Sequence, residues 1–242
     1  MTKPVLLIRA NRNEDDAKAL AELGLETVID PYLTIEPTQN TGAVNQVIAA
    51  LAVADENTWF VLTSANGINF LADVIGREAL RAALDNSNVK FAAIGESTKL
   101  VLESYGVREI LMPKVADSKH LAEALIAIGP GTAIWPRSAI AMKSFPNQLV
   151  EAGWRLFDPA VYETKTIETE PESAKRAMRG DFSSIVVLSP SAGRALAKYV
   201  SPKELTRVGT ELVCMGQTTA TALKELGFEV SRVATTIRGA FE

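Results

Sequence analysis

The sequence predicts an α/β protein with two doubly wound, parallel-sheet domains. Two observations lead to this prediction. Short apolar runs alternate with helical segments along the whole chain, and three kinds of segment each occur twice. Regular alternation of strand and helix implies parallel sheets, because parallel strands need a long crossover between them.

The individual elements follow from local signals. The run from Val5 to Ile8 is apolar and bounded by polar residues, which is typical of a strand buried on both faces. Asn13, the acids after it and Gly24 mark the start and end of the first helix. Ser118 is predicted to cap the helix over 121–128. By the same criteria, the predicted strands are 5–8, 26–29, 59–62, 89–94, 132–135, 182–188 and 212–215.

The internal repeat sets the domain organisation. One segment type has Arg9 followed by Gly24, and again Arg137 followed by Gly153, at separations of 15 and 16 residues. A second type is 60–67, which matches 186–193 and aligns Thr63 with Ser189. In the third type, the sequence 93–98 matches 214–219, and 11 residues separate the paired glycines in both copies.

Two divisions of the chain accommodate this repeat. A tandem division would place the boundary near residue 130. A split division fits the linkers better: 1–34 plus 166–242 form domain 1, and 38–162 form domain 2. The crossings near 33–38 and 160–169 alternate apolar and polar residues, which favours a two-stranded β ribbon joining two flavodoxin-like domains. A ligand-binding cleft between the domains is expected.

Composition excludes several functional classes. The chain has 242 residues, of which 47% are hydrophobic and 22% charged, with a net charge of -4, so a largely basic nucleic-acid-binding surface is not expected. One Cys and one His exclude an intrachain disulfide and histidine- or cysteine-rich metal sites. No stretch predicts a membrane span or an export signal, so we expect a cytoplasmic protein. We also expect a monomer, since the sequence reveals no exposed apolar patch.

The turns after the strands carry the candidate binding residues. Carboxyl ends of parallel strands gather at one edge of a sheet, and each turn leads into a helix N-terminus that favours an anion. Two interpretations remain open for each Ser or Thr: a helix cap alone or a ligand contact. These residues are Thr63, Ser64 and Asn66; Gly95, Ser97 and Thr98; Ser189 and Ser191; and Gly216, Thr218 and Thr219.

Two arginines lie at equivalent strand ends. Arg9 and Arg137 are each able to bind a carboxylate bidentately, and a structural salt bridge is the equally weighted alternative. Arg12, Lys143 and Arg194 are weaker candidates.

Common motifs for nucleotide binding and for nucleophilic catalysis are absent from the sequence. No dinucleotide fingerprint, P-loop or nucleophile elbow occurs. Cys214 is predicted to pack in the core, the three tryptophans in the core or at an interface, and His120 is predicted to lie on the surface. A cleft without a nucleophile, metal or nucleotide motif suggests chemistry by positioning. The rival functions are a non-catalytic two-lobed small-molecule binding or sensor module and a nucleotide-dependent enzyme.

The motifs together resemble those of the uroporphyrinogen-III synthase family. They are Thr63-Ser64-x-Asn66-Gly67, Ile94-Gly95-x-Ser97-Thr98, 188–192, 215–220 and Pro159-x-x-Tyr162, with Ile35-Glu36-Pro37 at the first crossing. The resemblance covers essentially the whole chain and implies two α/β domains joined by a two-stranded ribbon. The chain departs from the family pattern at Ala10, where a proline commonly follows the arginine, and over 234–237, which lack the usual proline.

This resemblance implies a lyase that cyclises hydroxymethylbilane to uroporphyrinogen III. The reaction loses water and inverts the last ring, and the family uses no metal or organic cofactor. Tyr162 is carried over as the candidate general acid, with ribbon packing as its alternative role. Thr218 and Ser189 are carried over as substrate contacts. The implied partners are the linear tetrapyrrole and hydroxymethylbilane synthase as upstream donor.

Overall fold

A computed structural model describes residues 3–11, 13–38, 41–141 and 143–242 of the chain. Arg12, one of the weaker binding candidates, lies outside the described residues. Within these ranges, no helix combines the length and apolarity that crossing a bilayer requires.

Strands and helices alternate along the described residues. The strands are β1 (Val5–Leu7), β2 (Thr27–Ile29), β3 (Leu33–Pro37), β4 (Thr58–Leu62), β5 (Lys90–Ala93), β6 (Ile110–Leu111), β7 (Thr132–Ile134), β8 (Arg137–Ser138), β9 (Arg155–Phe157), β10 (Ala160–Thr166), β11 (Ser184–Val187), β12 (Glu211–Met215) and β13 (Arg232–Ala234). The helices are α1 (Asn13–Ala21), α2 (Thr41–Ala52), α3 (Ala65–Ile75), α4 (Arg77–Asp85), α5 (Glu96–Glu103), α6 (Ser118–Ile126), α7 (Ser144–Glu151), α8 (Glu172–Arg179), α9 (Pro190–Tyr199), α10 (Pro202–Val208) and α11 (Gln217–Glu225), with a short 3-10 helix at Arg238–Ala240.

The chain divides into two compact units. Unit 1 contains Met1–Ile35 and Thr164–Glu242, and unit 2 contains Glu36–Glu163. The sheet of unit 1 has the order β13-β12-β11-β1-β2, and its neighbouring strands all pair in parallel. Read from β2, this is the 2-1-3-4-5 order of flavodoxin-like folds.

Unit 2 repeats that architecture with a permuted chain. Its sheet has the order β6-β5-β4-β7-β9, again with parallel pairings. The strands β7 and β9 occupy the places that β1 and β2 hold in unit 1. The α/β fold with parallel sheets, predicted from the alternation of apolar runs and helices, is therefore confirmed.

The two segments where the chain passes between units belong to a third sheet. Its strands have the order β3-β10-β8, so a two-stranded ribbon was an incomplete prediction. β8 joins because the Ala139 N–H donates to the Tyr162 carbonyl at 2.8 Å and the Arg137 N–H to the Pro159 carbonyl at 3.1 Å. The register pairs Ser138 with Tyr162.

Each sheet is covered by apolar side chains on its helices. In unit 1, Leu6, Ile185 and Phe182 pack with small residues of α8 and α9. In unit 2, the three tryptophans Trp59, Trp135 and Trp154 are 8%, 2% and 4% exposed and belong to one cluster, as predicted. Cys214 is fully buried in β12, also as predicted.

Several local predictions need correction. Ser118 is the first residue of α6 rather than its cap, because the Asp117 carboxylate accepts the His120 N–H at 2.8 Å. The helices α4, α8 and α10 and the short strands β6, β8, β9 and β13 were not predicted. Each of these strands has two or three residues, too few to show a period in sequence.

The repeat also aligns differently in space. Ser64 and Ser189 both occupy N-caps, of α3 and α9, whereas the sequence aligned Ser189 with Thr63. The strand register supports the same alignment as the N-caps. Phe60 pairs with Ile134 in unit 2 as Ile185 pairs with Leu6 in unit 1, so Phe60 corresponds to Ile185 and Ile134 to Leu6. Thr63 therefore corresponds to Leu188, and Trp135 corresponds to Leu7.

Gly67 lies where two backbone segments of unit 2 approach each other closely. A Cβ built on it would lie 2.6 Å from the Pro136 carbonyl oxygen, a backbone atom that has little freedom to move. We expect Gly67→Ala to lower the free energy of unfolding by about 2 kcal/mol, as overpacking does elsewhere. Chemical unfolding followed by circular dichroism measures this.

The comparison variant is Gly193→Ala, which replaces a buried glycine in the first turn of α9 in unit 1. Its Cβ would lie 3.2 Å from Leu223 Cδ2, a side-chain atom able to shift, so we expect a loss within about 1 kcal/mol. Equal stabilities for the two variants would contradict this account of Gly67.

Candidate functional site

In unit 2, two strand ends bring a threonine and a tryptophan into contact. Thr63 directly follows β4, and Trp135 directly follows the neighbouring strand β7. Because these parallel strands end at the same edge, Trp135 Nε1 reaches Thr63 Oγ1 and donates a hydrogen bond at 2.9 Å. The indole is held by an edge-on contact with Phe145, with ring centroids 4.8 Å apart.

A cavity of about 320 Å³ lies at this edge. Its wall combines hydroxyls with aromatic and aliphatic groups, the mixture typical of a small-molecule site. The lining residues are Thr63, Ile94, Ser118, Trp135, Ser138, Ala141, Phe145 and Tyr162.

Tyr162, the candidate acid, lies in this cavity. It belongs to β10, is 7% exposed, and its ring stacks on Phe70 with centroids 5.5 Å apart and planes 16° apart. Burial raises the pKa of the phenol above its ordinary value, and a hydrogen bond with the Ser64 side chain partly opposes that rise. The group is therefore neutral at pH 7 and has a proton to donate.

The other predicted residues of unit 2 lie around the starts of α3 and α5. Ser64 Oγ caps α3 by accepting the Asn66 N–H at 3.2 Å. Gly95 occupies the N-cap of α5, where no side chain accepts the helix N–H groups. Ser97 is exposed at this end, whereas Thr98 is 3% exposed and faces the interior.

Both predicted arginines make ion pairs inside their own unit. Arg137 Nε donates to Asp158 Oδ2 at 2.8 Å, and its guanidinium lies 5.8 Å from the Trp135 ring centroid. Arg9 Nη1 donates to Asp16 Oδ2 at 2.9 Å. Their side chains stay 25% and 28% exposed, so each guanidinium keeps a face open to solvent.

In unit 1, hydroxyl groups gather at the start of α9. Ser189 Oγ accepts the Ala192 N–H at 3.2 Å and lies 2.9 Å from Ser191 Oγ. Both serines are half-buried.

The neighbouring turn opens α11 with Gly216, whose φ of 75° places it in the left-handed region that favours glycine. Thr218 is exposed and lines a shallow groove with Pro190 and Gln217, whereas Thr219 is 3% exposed. Gly216 and Thr218 therefore present polar groups at the strand edge, and the Thr219 side chain packs inward.

Sequence reasoning missed part of the cavity. Trp135 was assigned to packing alone, Ser118 was considered only as a helix cap, and Ser138 and Phe70 were not singled out. The position of Trp135 directly after a strand was a usable signal, since that is where parallel strands present side chains to ligands. Ser138 reaches Tyr162 through the β8–β10 pairing, which two residues of sequence do not reveal.

These observations define an α/β protein with two wound parallel sheets and polar, glycine-rich strand ends. A model of the family described as "Uroporphyrinogen-III synthase HemD" matches residues 14–240. The chain therefore belongs to the uroporphyrinogen-III synthase family, as the sequence motifs indicated.

Individual relatives agree with this membership. The uroporphyrinogen-III synthase of Chlorobaculum parvum is 24% identical over 219 residues, which cover 88% of this chain and 85% of that protein. A uroporphyrinogen-III synthetase structure from Helicobacter pylori matches 98% of this chain and 94% of its own, with a TM-score of 0.62 and 15% identity. A structure of a mutant uroporphyrinogen III synthase from Thermus thermophilus matches 99% of this chain and 96% of that chain, with a TM-score of 0.60 and 19% identity. At these identities, the two structures show the fold alone.

The raised pKa of Tyr162 has a measurable consequence. In an ultraviolet pH titration, the difference between wild type and Tyr162→Phe isolates this phenol among the four tyrosines. We expect its midpoint above pH 10, because burial disfavours the phenolate. Below about pH 10, the pKa of a tyrosine in the unfolded chain, the contribution of the neutral phenol to stability is fully present. That contribution is lost as the pH rises through the higher pKa of Tyr162 in the folded state. A midpoint at or below pH 10 would contradict the assignment.

Proposed function

We propose that this chain is a uroporphyrinogen-III synthase that cyclises hydroxymethylbilane to uroporphyrinogen III. The observation that supports this most directly is the family match over residues 14–240. The reaction closes a linear tetrapyrrole, releases water and inverts the last ring. We place it in the cytoplasm, with the chain acting as a monomer and receiving substrate from hydroxymethylbilane synthase.

Binding is supported by the chemistry of the strand ends. The substrate carries eight carboxylates, and helix N-termini with free N–H groups favour carboxylates. The glycine caps Gly95 and Gly216 leave such N–H groups without a side-chain acceptor. Hydroxyls of Ser97 and Thr218 lie at the same two helix starts, and those of Ser189 and Ser191 lie at the start of α9, where they supply further donors.

The arginines fit the same substrate. Arg9 and Arg137 each have one aspartate partner, and five donors per guanidinium leave N–H groups for a second carboxylate. Both ion pairs are only partly buried, so a substrate carboxylate is able to reach either guanidinium beside its aspartate.

Tyr162 serves as the general acid in this proposal. Its proton passes to the terminal hydroxyl as the carbon–oxygen bond breaks, which releases water and leaves a cation delocalised over the first ring. The substituted carbon of the last ring attacks this cation to give a spiro intermediate, which reopens and recloses inverted. The proton released from the ring carbon at closure balances the one that Tyr162 donated.

Catalysis then depends mainly on orientation. The two ends of a flexible chain must meet in one geometry, a problem for which effective molarities of ~10⁵ M or more are available. Closure without the enzyme takes place at the free carbon of the last ring and gives the type I isomer. The site must therefore hold the last ring in the inverting pose.

Product analysis separates this function from the binding-module alternative. The purified protein is incubated with freshly prepared hydroxymethylbilane, and the oxidised products are separated by isomer. We expect the type III isomer to dominate. Type I alone, as in a blank without protein, would reject the enzyme and favour a non-catalytic binding role.

Substitution of the acid gives a second test. We expect Tyr162→Phe to lower kcat roughly ten- to hundredfold, at or below the usual range for general acids, because the electron-rich pyrrole also drives departure of the hydroxyl. Tyr105→Phe is the matched control, since Tyr105 is 1% exposed in the same unit and lies outside the cavity. Kinetics of Tyr162→Phe equal to those of the control would remove Tyr162 from the acid role.

A further inference from the structure

The contact between Trp135 and Thr63 restricts the direction of a hydroxyl proton. A threonine hydroxyl has one donor and two acceptor lone pairs, whereas an indole N–H is only a donor. The bond from Trp135 Nε1 at 2.9 Å therefore occupies a lone pair of Thr63 Oγ1. The proton of that hydroxyl has to point in another direction.

That other direction is the cavity. Thr63 lines it together with Tyr162, and within residues 3–11, 13–38, 41–141 and 143–242 the Thr63 hydroxyl donates no hydrogen bond. A half-buried hydroxyl that already accepts a hydrogen bond gains most from a ligand that accepts one.

Unit 1 shows that packing does not require this polar pair. The positions corresponding to Trp135 and Thr63 are Leu7, which is 1% exposed, and Leu188, which packs against the same apolar cluster. The fold is thus completed there by two leucines. Unit 2 has a donor and an acceptor in their place, beside the candidate acid.

We propose that Trp135 is a positioning residue that orients the Thr63 hydroxyl as a donor to a substrate carboxylate in the Tyr162 cavity. The inference deepens the proposed function and rests on it. The Trp135 ring is itself held by Phe145, so the direction of the N–H is set by the interior of the unit. Substrate enters a cavity in which the donor is already aligned, which reduces the ordering cost of binding.

The test is a double-mutant cycle in steady-state cyclisation kinetics. Thr63→Val removes the hydroxyl, and we expect it to raise KM about tenfold, the range of one hydrogen bond to a charged group. Trp135→Phe keeps an aromatic ring without the N–H, and we expect a rise of about three- to fivefold. The double variant is expected to match Thr63→Val alone, because Trp135 acts through Thr63.

Two further variants separate orientation from packing. Trp154→Phe is the matched control, because Trp154 is 4% exposed, belongs to the same cluster as Trp135, and its Nε1 has no hydrogen-bond partner among the described residues. We expect it to lower the melting temperature while leaving KM at the wild-type value. Thr63→Ser retains the hydroxyl and is expected to restore KM towards wild type.

The outcomes are distinguishable. If wild type yields only type I product, the proposed function fails. If wild type is active but the KM effects of Trp135→Phe and Thr63→Val multiply in the double variant, the positioning role is overturned. It is also overturned if Trp154→Phe raises KM as much as Trp135→Phe, since loss of ring volume then explains both.

Discussion

Parallel pairing of strands is the constraint on which the rest of this structure depends. Every strand of a parallel sheet ends at the same edge, so the residues that follow β4 and β7 become neighbours although 72 positions separate Thr63 from Trp135 in sequence. The same constraint joins β8 to β10 and brings Ser138 beside Tyr162. The cavity is therefore a consequence of strand register, and two of its polar side chains, Thr63 and Trp135, directly follow strand ends.

Sequence reasoning succeeded where the physical signal is long and periodic. Apolar runs such as 182–188 and glycine-terminated helices predicted the α/β class, and the order of motifs pointed to the uroporphyrinogen-III synthase family, which is confirmed over residues 14–240. It failed for elements such as the two-residue strand β8, whose existence depends on hydrogen bonds to the distant strand β10. Propensity and pattern carry no information about such partners.

Only part of the candidate site was predicted, again because sequence patterns carry no information about contacts with distant residues. Thr63 and Tyr162 were found because their residue types stand at strand ends or in a family motif, whereas Trp135 was taken for packing because tryptophan usually packs. The misaligned repeat is instructive here. Matching Thr63 to Ser189 by hydroxyl chemistry shifted the comparison by one residue, and only the N-cap roles of Ser64 and Ser189 restored it. Capping is a geometric role, so it identifies equivalent positions better than residue type does.

Once the repeat is aligned by geometry, the two units can be compared as alternative solutions of one fold. Both units have an arginine paired to an aspartate just after equivalent strands. Arg9 follows β1 and pairs with Asp16, and Arg137 follows β7 and pairs with Asp158. The units differ beside this ion pair, where unit 1 has Leu7 and Leu188 and unit 2 has Trp135 and Thr63. A buried polar pair adds little net stability over an apolar one, because both of its groups must be desolvated. Stability alone therefore gives no reason for the hydrogen-bonded pair in unit 2, and the cavity shared by Thr63 and Tyr162 supplies a functional one.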